Sequence, residues 1–179
     1  MQPLFIATKK FGPWNDQDWQ KYVGWSGLTQ LAELVSLDGM LCPTLLGETK
    51  DEYWPYIVNE DYMLDFFVDL EFMLEQLPKG VEKNLLCVFR NPATQPAPPD
   101  DSNRFELLGY ELLDVQGGIS ALTNCGGFPE AFSNEELNQF GLISSRDRAV
   151  EVQASLRAHY PDAHHADCHV WALTRASNS

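Results

Sequence analysis

"RFELLGYELLDV", residues 104–115, decides the fold. In unbroken alternation one face carries Phe105, Leu107, Gly109, Glu111, Leu113 and Val115. The other carries Leu108, Tyr110 and Leu112, with Glu106 and Asp114 at its ends. Both faces are mainly apolar, so the segment reads as a central strand covered on two sides. Glu111 is the exception. A carboxylate in apolar surroundings either has a raised pKa or pairs with an arginine, unless a bulge at Gly109 turns it outward. The bulge or the ion pair is the expectation, ahead of a general acid.

Outward from this strand, "NLLCVFRN" (84–91) and "CHVWALTR" (168–175) read as strands, and "ISALT" (119–123) as a short one. "PATQPAPPDDS" fits neither a helix nor a strand interior and marks a proline-rich loop at 91–103. In "PWNDQDWQKYVG" (13–24), Asn15 is placed to cap a helix, with Asp18 completing a capping box. Trp14 and Trp19 are spaced as a hydrophobic staple, and Gly24 offers the stop. Residues 26–46 fit a short helix followed by extended chain with an Asp-Gly turn.

Residues 61–77 carry the longest helical pattern, ending before Pro78. Ser133 and Glu136 form a second capping box, with Phe132 and Leu137 as staple and Gly141 as terminator. A last helix spans 144–160, capped by Ser144 and stopped at Pro161. Strands interleaved unevenly with helices imply an α+β fold: an antiparallel or mixed sheet of about 4–5 strands packed with helices. No repeat or second-domain signal divides the chain. A single domain is expected over 1–175, with 176–179 as a frayed tail.

Composition narrows the function. The 179 residues hold 26 Asp and Glu against 12 Lys and Arg, a net charge of −14. That field repels phosphate backbones and anionic lipid, so nucleic acid and membranes are disfavoured partners; it favours a cationic partner or simply keeps the chain soluble. Cysteines at 42, 87, 125 and 168 stand far apart with no CxxC pair, a poor disulfide or zinc framework. The N-terminus lacks the pattern of a signal peptide, and no apolar run approaches a membrane span. A cytoplasmic protein with reduced thiols is expected.

Three groups of residues are candidates for chemistry or binding. On a helix at 61–77, Tyr62, Met63, Phe66, Phe67, Leu70, Met73, Leu74 and Leu77 fill one broad face. Leu64, Val68 and Phe72 then fall inside the opposite, acidic arc of Asp61, Asp65, Asp69, Glu71 and Glu75. Such a ridge suits a basic, partly apolar partner; cover by another segment of the chain is the structural alternative. Cys125, in "TNCGGF", is either a turn residue or a nucleophile. The second role needs a base, and His159, His164, His165 and His169 are available. "HHADCH" (164–169) is rich in metal-ligating side chains, but strand alternation places Cys168 and His169 on opposite faces. That leaves His164 and His165 as metal candidates, with no partner named by the sequence.

The run "FELLGYELLDVQGGISALTNCGGF" (105–128) resembles a core found in uncharacterised bacterial proteins, some of them of the small acidic immunity type. The resemblance is carried by Leu108, Gly109, Tyr110, Glu111, Ser120, Leu122, Asn124, Cys125 and Gly126. It implies a strand–turn–strand structural signature and transfers no activity. Together these features point to a non-enzymatic acidic protein-binding module without a cofactor, of the kind that inhibits a basic protein. Its expected contacts are Leu64, Asp65, Val68, Asp69, Phe72 and Glu75. The alternative is a cysteine-dependent enzyme using Cys125 and a C-terminal histidine such as His165.

Overall fold

The computed structural model describes residues 2–60, 64–97, 105–116 and 118–177. Its strands are β1 (Leu4–Lys9), β2 (Ile57–Glu60), β3 (Leu64–Phe67), β4 (Lys83–Arg90), β5 (Phe105–Asp114) and β6 (Cys168–Ala176). The helices are α1 (Gln17–Ser26), α2 (Leu70–Gln76) and α3 (Arg146–His159). All strand pairs are antiparallel, in the order β2-β3-β1-β4-β6-β5, giving one six-stranded sheet in an α+β domain.

Alternation along the strands builds two cores. Phe5, Cys87, Leu112, Cys168, Val170 and Ala172 point to one face, where they meet Trp19 and Tyr22 of α1, Met73 of α2 and Ala149, Val152 and Leu156 of α3. Leu4, Ile6, Phe66, Leu86, Val88, Trp171 and Leu173 point to the other. Among the described residues no α-helix supplies that second cover. Val35, Leu37 and Leu142, all in irregular chain, close it instead. Phe66 stacks on Trp171 there, with ring centroids 5.0 Å apart.

The strand at 105–114 is covered on both faces, as its composition requires, but it ends the order of strands rather than lying at the centre. Its outer edge is still paired in part. Tyr110 bridges Ile143, and Leu113 bridges Ser120. The expected strand at 119–123 is therefore one bridge followed by a turn. The register between β5 and β6 slips between Leu107 and Gly109, where Gly109 has φ 148°. A Cβ at Gly109 would lie 2.8 Å from Leu142 Cβ and 2.9 Å from the Ile143 carbonyl oxygen. The missing side chain is what lets residues 142–143 approach β5.

Several boundaries differ from the sequence reading. Residues 27–49 contain no helix. The spacing of Leu28, Leu31 and Leu34 imitates one, yet the chain is irregular and passes from the first core at Leu34 to the second at Val35. Its backbone is satisfied by distant partners: Ala32 and Val35 N–H groups donate to the Gln139 and Phe140 carbonyls at 2.9 and 3.1 Å. Helix α1 runs past Gly24 and stops at Gly27, which has φ 71°. Asn15 does not cap that helix; its Oδ1 accepts from the Gly12 N–H at 2.9 Å. Trp14 is exposed and is no staple, while Trp19 packs edge-on against Phe11 at 5.3 Å.

The Ser133/Glu136 capping box forms, but around a single 3-10 turn, because Leu137 leaves it to bridge Ile143. The cap of α3 is Ser145, one residue beyond the expected Ser144. Ala176 belongs to β6, opposite Phe105, rather than to a frayed tail. The proline-rich loop lies outside the described residues from 98 to 104.

The largest difference concerns 61–77. Residues 61–63, including Tyr62 and Met63, lie outside the described residues. The remainder is two elements. Leu64, Phe66 and Phe67 alternate as strand β3, with Leu64 and Phe66 in one core and Phe67 in the other. Asp69 then starts a new helix, its carboxylate accepting from the Phe72 N–H at 3.0 Å. An aspartate in extended conformation at that point stops the strand and caps the helix, so helical periodicity does not cross it.

Candidate partner-binding surface

The carboxylates are not spread evenly. Between residues 48 and 76 there are nine Asp and Glu and a single Lys, Lys50, which accounts for more than half of the net charge of −14. This segment folds as a 3-10 helix at Asp51–Tyr56, then β2, β3 and α2. Proline at 55 and the aromatic residues around it suit this short element better than a long α-helix.

The expected apolar ridge does not exist. Leu64 is 8% exposed and belongs to the second core, because the segment that carries it is a strand. Val68 is half-buried and donates its N–H to the Tyr56 carbonyl at 2.9 Å. Asp65 is half-buried, and its carboxylate accepts from the Thr49 hydroxyl. Asp69 is committed to its cap. Phe72 is half-buried and stacks flat on Tyr56 at 3.8 Å, while Glu75 is exposed.

A different surface takes the ridge's place. Trp54 is 59% exposed, and the Tyr56–Phe72 stack and Leu74 also reach solvent. Tyr53, buried beneath them, meets both Phe67 and Phe72 edge-on and fixes the 3-10 helix to α2. Asp51, Glu52, Asp69, Glu71 and Glu75 on the same two elements are exposed. Of these, Glu52 has Lys50 at 3.9 Å, both side chains lying well out in solvent. Sequence reading missed Trp54 and Tyr56. Their signal was an aromatic pair flanking a proline in the most acidic part of the chain.

Three of the residues carrying the resemblance, Glu111, Ser120 and Asn124, meet elsewhere, around residues 36–38. Glu111 is fully buried. The bulge at Gly109 is present but does not turn it out, and no arginine or lysine is bonded to it among the described residues. Its carboxylate accepts from the Ser36 hydroxyl and, at 2.7 Å, from the Leu37 N–H. Burial pushes its pKa up to about 7, against the hydrogen bonds from Ser36 and Leu37 and with the charge of Asp38. Asp38 is buried too. It accepts from the Ser120 N–H at 3.0 Å, the Asn124 side-chain amide at 2.8 Å and the Met40 N–H at 2.9 Å. Glu111, Ser120 and Asn124 thus hold the loop that closes the second core. Its buried polar groups would otherwise lack partners. Full burial gives Glu111 no access to a substrate.

Cys125 lies at the rim of a pocket of about 60 Å³ with Trp25, Thr123, Gly126 and Gly127. Its thiol donates to the Ala121 carbonyl at 2.7 Å, and burial raises its pKa, the opposite of the activation a nucleophile needs. His165 is buried, with its ring 5.3 Å from Phe128 and its Nε2 3.9 Å from Asp114. Burial lowers its pKa against the Asp114 charge. His164, beside it, is exposed, as is His159. Cys168 is in the first core, while His169, on the opposite face of β6, is half-buried. Among the described residues no group of three His, Cys, Asp or Glu side chains is placed to hold a metal ion. No described helix is long and apolar enough to cross a membrane.

No family model, no curated protein and no solved structure matches this chain.

Proposed function

We propose that the protein is a non-enzymatic binding module whose acidic surface captures a basic partner protein, in the manner of an inhibitor that neutralises its target. The observation that carries this reading is that Asp51, Glu52, Asp69, Glu71 and Glu75 are exposed on the two elements that carry Trp54 and the Tyr56–Phe72 stack, within a stretch of sequence holding nine carboxylates and one lysine. Aromatic side chains supply contact area at little conformational cost, and a surround of one charge speeds encounter and rejects wrong partners. Phe72, Asp69 and Glu75 remain part of the surface. Leu64 does not contribute, and Trp54 replaces it as an anchor.

Capture from the source cells tests the reading, run in parallel with the native chain and the Glu71→Lys/Glu75→Lys variant. A basic protein retained by the native chain and lost from the variant is expected. Equal retention by both chains contradicts the assignment of this surface.

A further inference from the structure

The acidic surface continues into a sheet edge. Strand β2 pairs with β3 on one side, and among the described residues no backbone pairs with its other side. At the opposite end of the sheet, bridges from Ile143 and Ser120 occupy the outer edge of β5. The two ends are therefore treated differently by the same fold. An open edge presents unpaired N–H and C=O groups and invites another strand.

The register shows which groups face out. The Val68 N–H donates to the Tyr56 carbonyl, and Ile57 lies opposite Phe67, Val58 opposite Phe66 and Asn59 opposite Asp65. Antiparallel pairing alternates bonded and non-bonded positions. Tyr56 and Val58 thus bond toward β3, and the backbone groups of Ile57 and Asn59 point away from the sheet.

Resting on the binding-module reading above, we propose that the partner's basic segment docks in extended conformation as an added antiparallel strand on β2, beginning beside Trp54 and Tyr56. Charge selects the occupant. A second copy of this chain would bring another −14 to an edge whose own segment, residues 48–76, carries nine carboxylates and one lysine in sequence, so pairing with itself is opposed. A segment with lysine or arginine at alternate positions gains both the backbone bonds and the electrostatic attraction.

The probe is an eight-residue peptide of alternating lysine and valine, with a glutamate-for-lysine peptide as control. At low salt the lysine peptide binds, more weakly as salt is added, and the glutamate peptide does not. Bound peptide slows hydrogen exchange at the Ile57 and Asn59 amides by about tenfold or more. The Asn59→Pro variant removes one outward donor from an edge position where proline is tolerated. It loses about tenfold in affinity while keeping its circular dichroism spectrum. Binding with no added protection at Ile57 and Asn59 overturns strand addition and leaves the acidic-surface reading standing. Failure of the lysine peptide to bind at low salt overturns both.

Discussion

At the scale of single residues, Glu111 has the clearest consequence. Its pKa in the folded chain is about 7 against an ordinary 4.5, chiefly because burial disfavours the charged form. The native state therefore holds this proton more tightly than the unfolded chain does. The stability Glu111 contributes is fully present below about pH 4.5 and is lost as the pH rises through about 7. Glu111→Gln keeps an acceptor for the Leu37 N–H and removes the titration. Thermal melts between pH 4.5 and 8 should show that variant losing less stability with rising pH than the native chain; parallel curves would show that Glu111 is not the group responsible. Gly109 makes a second prediction. With φ 148° and Leu142 within 2.8 Å of any Cβ, Gly109→Ala should cost about 2–3 kcal/mol in urea unfolding. A cost below about 0.5 kcal/mol, the range of ordinary surface substitutions, would mean that residues 142–143 relax away from β5 without penalty.

At the scale of elements, legibility followed how locally each element is specified. Strands β4, β5 and β6 were readable because their own composition settles them, and alternation in β6 correctly separated Cys168 from Trp171. Helix α3 was readable to within a residue or two of its ends, with the cap at Ser145. There, Ser145→Ala should cost about 1 kcal/mol, read by denaturant unfolding, since its hydroxyl accepts the Arg148 N–H; an unchanged midpoint would deny it that role. The stretch at 61–77 misled because a strand and a short helix in sequence happen to share i, i+4 apolar positions. Asp69, between them, reads equally well as a surface residue of one long helix. Residues 27–49 misled for another reason. Their hydrophobic side chains serve two cores, and their backbone bonds go to residues 139–140 and their polar anchors to Glu111, Ser120 and Asn124. Nothing local in the sequence reports such partners.

At the scale of the molecule, the same distinction separates the binding surface from the scaffold. The excess of carboxylates was plain from the sequence. Which apolar residues accompany it was not, because that depends on the fold of 51–76 rather than on a helical wheel. The sheet, covered by helices on one face and by loops on the other, leaves β2 and its neighbouring 3-10 helix at one end. Trp54, Tyr56 and Phe72 are exposed or half-buried there, within the most acidic part of the chain. A surface of that kind should bind with an affinity that falls as salt screens it, and with most of the remaining energy in the aromatic anchors. The most direct test is the affinity of the captured basic partner for the native chain and for Trp54→Ala, each at low and at physiological salt. The account predicts that added salt weakens binding by both chains and that Trp54→Ala loses about tenfold or more at either salt. An affinity indifferent to both salt and Trp54 would contradict it.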